Sequence, residues 1–69
     1  MEISARNTFK GTVKKLELGA VNAVVTIEVA PGIEVSGSIT KESAEKLGLA
    51  EGKEAYAVIK ASDVMFAVD

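Results

Sequence analysis

The chain has 69 residues, with eight basic and ten acidic side chains, no cysteine and no histidine. A domain this short buries only about 60% of its unfolded surface, and neither a disulfide nor a Cys/His zinc site is available to reinforce it. The net charge of −2 gives no support to a nucleic-acid or anionic-membrane partner. No run approaches transmembrane length and the start lacks a signal-peptide pattern, so a soluble cytoplasmic protein is expected.

From Asn7 to Leu18 the pattern predicts a strand. Phe9, Gly11 and Val13 share one parity and Leu16 and Leu18 the other. The slip at Lys14-Lys15 predicts a β-bulge, with the two lysines at solvated edge positions. Gly19 to Asn22 reads as a hairpin connection. A second strand follows at NAVVTIEVA, with Ala23, Val25, Ile27 and Val29 on one face. After the Pro31-Gly32 turn, IEVSGSI alternates as a third strand, where Gly37 points to a bend or a close backbone approach.

The period then changes. TKESAEKLGL predicts a short helix capped by Thr40, with Glu42 in its first turn, Lys46 near its end and Gly48 as the left-handed stop. Ala44 and Leu47 are expected to face the core, and Leu49 to cover the helix end. KEAYAVIKA predicts a fourth strand and VMFAV a fifth, joined through Ser62-Asp63. The order β-β-β-α-β-β fits an all-β fold with one short helix, a small five-stranded OB-like barrel with the helix plugging one end. An SH3-like barrel is the alternative; the well-marked helix favours the OB-like form.

The last two strands are continuously apolar: Ala55 to Ile59, and Val64 to Val68. A strand with one wet face should alternate, whereas one covered on both faces need not. So short a chain cannot cover both faces, and a second copy of itself is the expected cover.

Nothing in the chain supports catalysis. Ser4, Ser36, Ser38, Ser43 and Ser62 have no histidine to activate them. What remains is a set of donors. Ser4, Arg6 and Asn7 cluster near the start, and Lys60, Ala61 and Ser62 end strand four. Arg6 is the only arginine, against seven lysines. Its rigid, permanently charged fork suits an oxyanion, with a lysine, hydroxyls and free backbone N–H groups to complete a shell. Each residue also has a plain structural role open to it. Ser4 could be a turn residue, Asn7 could bond its own backbone, Lys60 could be a solvated strand end, and Ser62-Asp63 could be only a turn.

ISARN, followed by a strand bearing KG, and the later LGLAEGKEAYAVIKASDVMFAV resemble the molbindins. These are the small Mop-type molybdate-binding proteins, also called molybdenum-pterin-binding proteins, and the resemblance spans essentially the whole chain. It implies one Mop-type domain over residues 1–69 and an OB-like barrel assembled as a homohexamer, a trimer of dimers. The ligand it implies is molybdate, with tungstate as a second candidate. The anion would be held without a cofactor, a cation ligand or catalysis, at sites between subunits. Carried over by position, Ser4, Arg6, Lys60 and Ser62 would bind the oxyanion through side chains, with backbone help at Ala61. Asn7 would shape the loop, and Val21 and Asn22 would belong to a second site near the threefold axis. Thr8 stands where many relatives have glutamine, just outside the motif. The expected role is intracellular storage or buffering of molybdate. Two other classes stay open on the residues alone. An OB-type nucleic-acid module would need a basic groove and stacking aromatics, of which the chain has only Phe9, Tyr56 and Phe66. A pure interaction module would use the donor clusters only to lock subunits together.

Overall fold

Strand β1 (Asn7–Leu18) is the longest element and changes partner along its length. In the computed structural model, which describes residues 6–69, its first half pairs antiparallel with β4 (Glu54–Ile59), from Asn7↔Ile59 to Thr12↔Glu54. Its second half pairs with β2 (Asn22–Ala30), from Thr12↔Glu28 to Leu18↔Ala23. The register shifts between Val13 and Lys15, so the expected bulge is present, with Lys14 as the extra residue. A bulge bends and twists the strand that carries it, and here it turns β1 from one neighbour to the other. At the changeover Val13 donates its N–H to the Lys53 carbonyl (2.8 Å) and accepts from the Gly52 N–H (2.9 Å). The two lysines therefore mark the kink of a central strand, and not a sheet edge. Both are exposed and pair with carboxylates, Lys14 with Glu28 at 3.6 Å and Lys15 with Glu17 at 3.4 Å.

The sheet order is β3-β2-β1-β4, with β3 (Ile33–Thr40) antiparallel to β2. The first hairpin is closed by the Gly19 N–H on the Asn22 carbonyl at 2.8 Å. Close approach explains the glycine inside β1: a Cβ at Gly11 would collide with the Glu28 carbonyl where β2 crosses it. Gly37 is different, because a Cβ there would meet nothing. The close approach expected at Gly37 is absent among the described residues, and the position opens onto a groove.

Helix α1 (Lys41–Leu47) begins and ends where the sequence signals put it. Thr40 Oγ1 accepts the Ser43 N–H at 3.1 Å, which satisfies one of the donors that a first helical turn leaves open. Gly48 takes φ 67°, and the Gly48 and Leu49 N–H groups bond the Glu45 and Ala44 carbonyls, each at 3.1 Å. Thr40→Ala should remove about 1 kcal/mol of stability, read as a lower urea midpoint with unchanged slope. An unaltered midpoint would mean that the cap is idle. The helix packs on β2 and β3 and buries Ala44. Leu47 was expected to face the core but is 69% exposed. It lines a groove beside Ile39 and Leu49, and the described residues leave it largely uncovered.

Two further expectations change. Strand β4 alternates: Ala55, Ala57 and Ile59 are half-buried while Tyr56 and Val58 are exposed, so within one chain only one face is covered. The fifth strand is not formed. After a 3₁₀ turn at Ala61–Asp63 the backbone is extended at Val64, and residues 64–69 pair with no strand among the described residues, since a strand exists only against a partner edge. The fold class stands, as a curled four-stranded sheet with one short helix. Among the described residues the buried apolar ones are Val13, Ala23, Ile27 and Ala44.

Candidate functional site

The β1–β4 ladder ends where both donor clusters begin. Asn7 opposes Ile59 as the last antiparallel pair. One step outward on β1 is Arg6, and one step outward on β4 is Lys60. The Asn7 side chain donates from Nδ2 to the Ile59 carbonyl at 3.2 Å, across 52 residues of sequence. That bond ties the chain entering β1 to the chain leaving β4; the Asn7 side chain thus bonds across strands and not to its own backbone. Arg6, Asn7, Lys60, Ala61 and Ser62 thus gather at one end of the sheet. Ser4 lies outside the described residues.

The turn after β4 fixes the second cluster. The Asp63 N–H closes it on the Lys60 carbonyl at 2.9 Å. The N–H groups of Ala61 and Ser62 precede that closure and are not used by the turn's bonds. Arg6, Lys60 and Ser62 are all exposed. The ion pairs among the described residues engage Lys10, Lys14, Lys15 and Lys46, and neither Arg6 nor Lys60. Asp63 belongs to the same turn and adds a formal negative charge to this end of the sheet. Two cations and one carboxylate leave a surplus of one positive charge.

Such a cluster can offer N–H and O–H donors to an anion. In a single chain it is open to water, where charge-assisted bonds are weakened by solvent and salt. A second surface laid over it would exclude water and could add donors. Among the described residues no group of three His, Cys, Asp or Glu side chains converges to hold a metal ion. A separate concavity of about 410 Å³ touches Lys10, Glu28 and Glu54. Its charges are already engaged, Lys10 with Glu54 at 3.6 Å and Glu28 with Lys14, so it offers less to an anion.

Val21, in the β1–β2 connection, and Asn22, the first residue of β2, sit elsewhere, at the far end of β1. The Val21 carbonyl accepts the Lys41 N–H at 2.7 Å, and the Asn22 backbone pairs opposite Thr40. The Val21 side chain is 70% exposed. Within one chain these two residues and the Arg6–Lys60 cluster belong to opposite ends of one strand and form no common site.

Comparison with known proteins follows the same span of chain. The TOBE domain family model matches residues 3–66. The chain is 46% identical over 69 residues to a probable molybdenum-pterin-binding protein of Haemophilus influenzae, with 100% of both chains covered. Among solved structures, MopII from Clostridium pasteurianum superposes with a TM-score of 0.90 at 45% identity, covering 97% of this chain and 100% of that one. The cytoplasmic molybdate-binding protein ModG, in a form with molybdate bound, superposes with a TM-score of 0.82 at 56% identity. That match covers 88% of this chain and 43% of ModG.

Proposed function

The chain belongs to the TOBE domain family, among its Mop-type molybdenum-pterin-binding members, and from that membership we propose that it binds molybdate. The observation that carries the reading is the meeting of Arg6 with Lys60, Ala61 and Ser62 at the end of the β1–β4 ladder, in a chain 56% identical over the matched region to a protein solved with molybdate bound. The anion is held intact, with no bond made or broken. Arg6 presents its fork, Lys60 a point charge, and Ser62 its hydroxyl, while the backbone at Ala61 supplies an N–H donor. Ser4 is assigned to the same shell from its place in the motif. Asn7 holds the loop in position. Val21 and Asn22 are assigned to a second oxyanion site, separate within each chain from the first.

Both sites are placed at seams between copies of the chain. The openness of the cluster supports this placement, because a dianion gains most from donors that are shielded from water. We assign a homohexamer, a trimer of dimers, each chain contributing one Mop-type domain. The role is storage or buffering of molybdate inside the cell, with tungstate as the competing ligand.

Calorimetric titration of the protein with sodium molybdate tests the binding directly. Heat that saturates, and molybdenum retained on desalting, are expected. Selectivity gives a second check. Sulfate and molybdate are both tetrahedral dianions, so charge separates them poorly. Donors set for the larger ion leave sulfate with stretched bonds, which weaken steeply with distance and angle. Tungstate should compete almost equally with molybdate and sulfate only weakly. Sulfate competing as well as tungstate would rule out a fitted donor shell.

A further inference from the structure

The turn that follows β4 carries a charge that a shell of anion donors does not use. Asp63 is exposed, and its backbone N–H closes the turn on the Lys60 carbonyl at 2.9 Å. Because the backbone makes that bond, the turn does not rest on the carboxylate. The side-chain hydrogen bonds among the described residues do not involve it either. In a 3₁₀ turn, residues three apart in sequence lie over one another, with a rise of roughly 6 Å. Asp63 is three residues from Lys60 and directly follows Ser62. Among the described residues, though, it forms no ion pair with Lys60 or Arg6. The carboxylate adds its charge to the cluster without engaging either cation.

The charges show what this does. Arg6 and Lys60 give the empty cluster two positive charges, and Asp63 lowers the net to one. Cations gathered at one place repel, more strongly where a covering surface shields them from water. A carboxylate close by relieves that repulsion while the site is empty. A bound dianion turns the net charge from one positive to one negative, and the same carboxylate then opposes the ligand. Without Asp63 the filled cluster would be neutral.

We propose that Asp63 sets the affinity of the oxyanion site, as a countercharge to the empty donor cluster and a repulsive neighbour of the bound anion. It makes no bond to the anion and acts through the field it adds. Both effects lower affinity, and neither alters the donors that fit a tetrahedral shape. A store has to give up its anion, and this residue weakens retention without loosening the fit. Coulomb energy follows the product of the charges, so a dianion is opposed twice as strongly as a monoanion. The proposal deepens the binding reading above and rests on it.

Asp63→Asn keeps the size of the side chain and removes its charge. Titrated at low salt, this variant should bind molybdate about fivefold more tightly than the native chain. Perrhenate, a tetrahedral monoanion of similar size, should gain only about twofold, the square root of the molybdate factor. Both gains should shrink in about 0.5 M sodium chloride, which screens exposed charges. Asp63→Glu restores the charge and should return both affinities toward the native values. Glu34→Gln removes the same charge from β3, which does not carry the cluster, and should leave both near native. Equal gains for the two anions, a gain indifferent to salt, or the same gain in Glu34→Gln would overturn the proposal. A native chain that takes up no molybdate removes the proposed function and this inference together. A native chain that binds, with Asp63→Asn binding no more tightly, removes the inference alone.

Discussion

Arg6→Lys is expected to lower molybdate affinity roughly tenfold to a hundredfold while leaving the fold intact. The substitution keeps the positive charge, so the loss reports the geometry of the guanidinium fork, which a lysine ammonium cannot reproduce. A hydrogen bond to a charged group is worth ~1.5–3 kcal/mol, which sets that range. Arg6→Ala should cost more, because it also removes a countercharge beside Lys60. Little structural loss is expected, since Arg6 is exposed and precedes β1. Calorimetry and sedimentation on the same samples separate this from a clamping role. Unchanged affinity in Arg6→Lys together with a weakened assembly would remove Arg6 from the anion shell.

Ile27→Ala should be the most damaging single truncation in the sheet. Ile27 is 4% exposed, opposite Val13 on β1 and Val35 on β3. Removing a buried isoleucine to alanine costs ~2–5 kcal/mol through lost transfer energy and the cavity left behind. A chain of this size holds only roughly 3–10 kcal/mol in total, so much of the stability would go. Glu17→Ala is the control. It breaks only the exposed pair with Lys15 and should stay within about 0.5 kcal/mol of the native chain. Urea denaturation of both variants at one protein concentration gives the comparison. Equal midpoints would mean that stability resides in contacts between copies and not at the β1–β2–β3 centre.

The amino-acid sequence by itself determined the elements whose causes are local. Strand β1 from Asn7 to Leu18, strand β2 from Asn22 to Ala30 and the helix between Thr40 and Gly48 follow from alternation, a cap hydroxyl and a left-handed glycine. The bulge at Lys14 was legible because a break in alternation is itself local. The family was legible in ISARN and KASDV, but the donor residues read one at a time left ordinary turn and surface roles open. Tertiary structure decided everything that depends on a neighbour. It made the bulge a change of partner from β4 to β2, because pairing on the second side depends on which strand arrives there. It exposed Leu47 and left Val64 to Val68 unpaired among the described residues, because burial and strand pairing both require an opposing surface. It brought Asn7 against Ile59 across 52 residues, and with them Arg6 beside Lys60, while holding Val21 and Asn22 at the other end of β1. Periodicity and caps are written in the order of the residues; which distant residues meet is set by how the curved sheet closes.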